Sequence, residues 1–133
     1  MRASNITVFI CAMIAMLALL SAGWIERDRD RNVRAAAQLV HGDPSHGPEK
    51  IRQYGCYSCH TIPGITGANG LVGPPLAGIR DRVFLAGELP NTPENITQWI
   101  QHPRQFEPHT VMPEMGVTDQ DSRDIAAYLY TLR

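Results

Sequence analysis

The sequence predicts an all-α protein: one N-terminal transmembrane helix, then a small domain of three or more short helices joined by long loops. Three observations point there. Ile6 to Ile25 is a twenty-residue run with no ionisable side chain other than Cys11. Three later segments carry helix start or stop signals, two of them with apolar residues at helical spacing. No run of alternating residues argues for a sheet.

At 1.5 Å per residue, a helix over Ile6–Ile25 spans roughly the 30 Å hydrocarbon core of a bilayer. The alternative is a cleaved secretory signal with an apolar stretch from Ile6 to Leu20, cut after Ser21, Ala22 and Gly23. The run continues through Trp24 and Ile25, which favours a retained anchor in the lipid bilayer. Either way the remainder lies outside the cytoplasm. One signal opposes this. Arg27, Arg29, Arg31 and Arg34 follow the run while only Arg2 precedes it, and such an excess of arginine ordinarily marks the cytoplasmic side. Cys11 sits inside the run as a small apolar residue.

Residues 1–25 are thus read as the anchor or uncleaved signal, 26–43 as a spacer and 44–133 as the globular domain. Glu26 to Val40 lacks glycine and proline and is able to extend the membrane helix, until His41-Gly-Asp-Pro44 breaks it. The first domain helix runs from about Pro48 to Tyr54 and stops at Gly55. Thr92 caps the second, ahead of Pro93 and Glu94. Its Ile96, Trp99 and Ile100 share one face, and Pro103 ends it. Thr118, with Asp121 three residues on, starts the third, whose apolar face is Ile125, Tyr128, Leu129 and Leu132. A glycine- and proline-rich loop occupies Gly64 to Gly78.

The chain has 133 residues and a formal net charge of −1, so nothing in its charge calls for a nucleic-acid partner. Ninety residues with three short helices bury too little apolar surface by themselves, which is a physical reason to look for a cofactor at the centre.

Cys56-Tyr57-Ser58-Cys59-His60 has the spacing of c-type haem attachment. Two cysteines three apart each bond one vinyl group of the haem, and the adjacent histidine becomes an axial ligand of the iron. A thioredoxin-type pair would want a βαβ pattern, and a zinc site would want a second ligand pair where only scattered His41, His46, His102 and His109 are available. Maturation of such haems outside the bacterial cytoplasm decides the topology against the arginine signal. For the second axial position the candidate is Met112, followed by Pro113 in a proline-flanked loop. Thioether ligation raises the iron's potential. Met115, His102 and His109 compete for the same place, and Met112 is otherwise a core gap-filler.

Over residues 44–133 the sequence resembles class I cytochromes c. In that likeness Gly47 falls where the first helix crosses the last, with Tyr54 and Tyr128 as aromatics at the crossing. Gly73-Pro74-Pro75-Leu76 matches the stretch whose proline carbonyl accepts the Nδ1–H of the axial histidine, which implies that role for Pro74 and haem packing for Leu76. The resemblance further implies Arg82 near a haem propionate, with Arg80 as an alternative, Trp99 beside the ligating methionine and Thr110 as a hydroxyl near a propionate.

The Leu89–Ile96 stretch, Trp99-Ile100, Met112-Pro113 and Asp124–Leu129 look more narrowly like the cytochrome c domain fused to subunit II of some haem–copper oxidases, without the cupredoxin domain of those proteins. The implied function is one-electron transfer by heme c, one per chain, as an electron-transfer protein and not an enzyme. The implied donor is a quinol-oxidising complex or dehydrogenase, and the acceptor a terminal oxidase. The place would be the outer, periplasmic side of a bacterial inner membrane. Two other readings stay open: a haem subunit fixed inside a larger enzyme, and a five-coordinate haem that Met112 does not bind.

Overall fold

The computed structural model describes the backbone of residues 2–132 and the side chains of residues 6–132. The elements run α1 (Arg2–Val40), α2 (Gly47–Gln53), a 3-10 turn (Cys56–Ser58), a second 3-10 turn (Ile79–Asp81), β1 (Phe84–Leu85), β2 (Leu89–Pro90), α3 (Pro93–Gln101), α4 (Pro103–Phe106) and α5 (Asp119–Leu129). The chain divides into two units, Met1–Asn32 and Val33–Arg133.

The first unit is the long part of α1. Its apolar side chains stand in the open, Phe9 at 74 % and Trp24 at 69 % exposure. Among the described residues this is the one helix long and apolar enough to cross a membrane, and none of that apolar stretch is buried in protein. Lipid is the environment that would make such a surface favourable.

The second unit begins inside α1, because Ala36 and Val40 are 0 % and 1 % exposed and belong to its core. The stretch expected as a spacer thus supplies two core residues, Ala36 and Val40, to the unit that begins at Val33. The helix stops at His41, whose φ of +54° lets the Gly42 N–H turn back to the Ala37 carbonyl (3.2 Å). Arg123 Nη1 then bonds the Val40 carbonyl (3.3 Å), and the Asp43 N–H donates to the buried Asp124 carboxylate (2.8 Å).

α2 and α5 pack at a close crossing. A Cβ on Gly47 would fall on the Cβ of Tyr128, so only glycine allows this approach. Tyr54 Oη donates to Asp121 Oδ2 (2.7 Å) beside it, with Lys50 Nζ 3.1 Å from Oδ1. α3 also packs against α5. Ile51 of α2, Ile96 of α3 and Ile125 of α5 are the largest buried side chains where the three meet. Both expected threonine caps form: Thr92 Oγ1 accepts from Asn95 N and Thr118 Oγ1 from Asp121 N, each at 3.2 Å. Pro103 ends α3 and opens the short α4.

A two-residue antiparallel ribbon, Phe84 with Pro90 and Leu85 with Leu89, departs from the strand-free expectation. Pairs this short leave no alternation to read, and the positive φ of Ala86 (+50°) and Gly87 (+87°) makes the turn between them.

Candidate functional site

The approach to the site is built by local geometry. Past α2, Gly55 adopts φ +72° and swings the chain into the 3-10 turn Cys56–Ser58, and the His60 N–H closes on the Cys56 carbonyl (3.0 Å). This turn is tight enough to point Cys56, Cys59 and His60 into one cavity. No disulfide joins Cys56 to Cys59. Burial pushes the Cys56 thiol up, as expected for a sulfur facing an apolar space.

The loop after His60 folds back along it. The Gly73 N–H bonds the Cys59 carbonyl and the Leu76 N–H bonds the Thr61 carbonyl, both at 2.8 Å. Thr61 Oγ1 donates to the Gly70 carbonyl (3.1 Å). These contacts bring the Pro74 carbonyl 2.8 Å from His60 Nδ1. A carbonyl only accepts, so Nδ1 carries the proton and Nε2 keeps its lone pair. Gly73 is obligatory for space, since a Cβ there would land on the imidazole.

The cavity measures about 280 Å³. Ile51, Leu76, Ile96, Ile100, Ile125 and Leu129 form much of its apolar wall. Met112 lies on the wall from another part of the chain, in a loop turned by the bond from its N–H to Thr110 Oγ1 (3.2 Å). The nine residues assigned to the cofactor in the sequence, Cys56, Cys59, His60, Pro74, Leu76, Arg82, Trp99, Thr110 and Met112, line this one space.

The alternatives divide. Met115 also lines the cavity, whereas His102, His109 and Arg80 are exposed and do not. Among the described residues no three His, Cys, Asp or Glu side chains gather as a metal site, so Cys56 and Cys59 have no second ligand pair for zinc. Val72, Val111 and Leu85 are wall residues that sequence reasoning passed over. Val72 and Val111 sit in loops without periodicity, and Leu85 in a ribbon too short to recognise. Only their proximity to Cys56-x-x-Cys59-His60 or Met112 along the chain could have flagged the first two.

The donor set fits a covalently held haem: two thiols, an imidazole nitrogen and a thioether line one largely apolar space. Among the described residues, Arg82 is the one Asp, Glu, Lys or Arg side chain that lines it.

A family profile described as Cytochrome c matches residues 45–133. "Cytochrome c oxidase subunit 2" of Alkalihalophilus pseudofirmus is 29 % identical over 90 residues, which cover 67 % of this chain and 25 % of that protein. "Cytochrome c2" of Rhodopila globiformis is 33 % identical over 105 residues, covering 69 % of this chain and 95 % of that one. The chain therefore spans a quarter of the oxidase subunit's length and nearly all of the cytochrome c2's. No solved structure matches at a significant level.

Proposed function

The chain belongs to the cytochrome c family, and from that premise we propose that it is a membrane-anchored carrier of single electrons that serves a terminal haem–copper oxidase. Electron transfer by a haem protein of class I type is the family's common ground. The finer assignments are the proposal: heme c bonded to Cys56 and Cys59, with His60 and Met112 as axial ligands. When bound, the haem supplies reversible one-electron storage at its iron.

One observation carries the reading. The attachment pair, the histidine with Nε2 left free by Pro74, and Met112 all face the same apolar cavity. Met112 is half-buried while Met115 is 47 % exposed, which supports Met112 as the ligand. The Pro74 carbonyl orients the His60 ring and, by accepting from Nδ1, strengthens Nε2 as a donor. The apolar wall excludes water, so few dipoles need to reorganise when charge changes. Leu76 and Trp99 on the wall would pack against the bound group, and Arg82 and Thr110 would be polar partners for its carboxylates.

Ile6–Ile25 would hold the protein in a bacterial inner membrane, with residues 26–43 leading to the haem domain 44–133 on the periplasmic side. A quinol-oxidising complex or dehydrogenase would be the donor. The named relative, an oxidase subunit, supports the acceptor, and it also favours a second reading in which this chain is a fixed subunit of such an enzyme.

The test is the purified, matured protein. Its intact mass reports one added haem and the retention of residues 1–25, and its oxidised spectrum reports a methionine–iron band. Colourless protein, or pigment extracted by acid–acetone, would end the reading. Migration in mild detergent, alone or with an oxidase, separates mobile carrier from fixed subunit.

A further inference from the structure

Behind the wall that carries Pro74 runs a chain of side-chain hydrogen bonds that the assignments above do not use. Tyr130 Oη, at the buried end of α5, donates to Asn91 Oδ1 (2.8 Å). Asn91 Nδ2 donates to the carbonyls of Ile79 (2.7 Å) and Arg82 (2.9 Å), and its N–H to that of Val83 (3.0 Å). The backbone of Arg82 is thereby pinned to α5. From that footing Arg82 Nη2 donates to the carbonyls of Pro75 and Ala77.

Pro75 is the residue after the one whose carbonyl meets His60 Nδ1. Its ring fixes φ, which leaves ψ of Pro75 as the one free rotation between the Pro74 and Pro75 carbonyls. A guanidinium holding one therefore steadies the other. Both ends of the Asn91 amide are used in the only orientation that satisfies donor and acceptor alike. Burial pushes the Tyr130 phenol up to about 12, so it remains an O–H donor at any ordinary pH.

We propose that Arg82, braced by Asn91 and Tyr130, is a positioning residue for His60: it keeps the Pro74 carbonyl on the Nδ1–H and so sets how strongly the imidazole donates. The proposal rests on His60 being an axial ligand. It gives Arg82 an effect opposite in sign to that of its charge. A weaker Nδ1–H···O bond makes His60 a poorer donor and favours the reduced state, raising the potential. Loss of a nearby positive charge favours the oxidised state and lowers it.

The experiment compares full-length, haem-matured wild type with Arg82→Lys, Arg82→Gln, Asn91→Ser and Tyr130→Phe, by potentiometric titration and by NMR of the His60 ring protons. A lysine keeps the charge, but its Nζ falls one bond short of the Nη2 that makes both contacts. Arg82→Lys and Asn91→Ser should raise the reduction equilibrium constant about threefold or more, roughly 30 mV for one electron, and shift the His60 resonances. Tyr130→Phe, which removes one hydroxyl, should move both in the same direction by less, and it stays decisive if Asn91→Ser fails to fold. The proposal is overturned if Arg82→Lys and Tyr130→Phe match wild type on both readouts while Arg82→Gln lowers the potential, for then Arg82 acts by charge alone. Wild-type protein without iron-shifted His60 resonances would overturn the axial assignment itself, a failure visible before any variant is made.

Discussion

Gly47 opens α2 at its crossing with α5, and replacing it tests how much of the fold depends on that approach. A Cβ there would clash with Tyr128 Cβ and lie 3.0 Å from Tyr128 Cγ and 2.9 Å from the Asp124 carbonyl oxygen. No rotamer change relieves this, because a Cβ and a backbone oxygen move only with their helix. To restore ordinary carbon contacts of about 3.5 Å or more, α2 and α5 must separate by roughly 1 Å. Overpacking of this kind costs about 1–3 kcal/mol, and the better helix propensity of alanine returns at most ~1 kcal/mol. A net loss of about 1–2 kcal/mol lowers Tm by roughly 4–16 °C for a domain of about one hundred residues. Thermal unfolding of matured Gly47→Ala, followed by circular dichroism in the haem band, measures it; on the proposed thioether attachment the haem would stay bound in both states, so cofactor loss would not confuse the reading. A midpoint within about 2 °C of wild type would refute the reasoning, because on this scale it is under 1 kcal/mol.

Tyr54→Phe removes the hydroxyl that donates to Asp121 and should cost about 1 kcal/mol, read as a lower denaturant midpoint at unchanged slope. The same bond, with the Lys50 ammonium next to it, holds the Asp121 carboxyl below the usual carboxylate range. The folded pKa lies under the unfolded value of about 3.9, so this stabilisation is complete above that pH and fades as pH falls through the folded value. Asp121→Asn should flatten that acid limb, and superimposable pH–stability curves for variant and wild type would contradict the assignment. Met112→Ala should keep its covalent haem but lose the methionine–iron band, fall in potential and bind carbon monoxide. If none of these changes, Met115, which shares the cavity wall, is the ligand.

Much of the site was legible because its signals are local. Cys56, Cys59 and His60 lie within five residues, and one turn of chain sets their mutual positions. The caps Thr92 and Thr118 each bond a backbone N–H three residues away. Their environment hardly matters, so residue order alone was sufficient to place them.

Contacts between distant residues were decided by the packed chain. Tyr130, Asn91 and Arg82 become one brace only when α5 lies beside the ribbon, and nothing in their separate neighbourhoods announces it. Ala36 and Val40 follow a charged stretch and read as spacer, yet they are core because the end of α1 is tied to Arg123. The sequence by itself determined the Cys56-x-x-Cys59-His60 spacing, the apolar N-terminal run and the helix starts, all of which depend on short-range bonding and periodicity. Tertiary structure alone decided what surrounds the cavity, which carbonyl His60 Nδ1 meets and what holds that carbonyl, since those depend on which distant surfaces exclude water together.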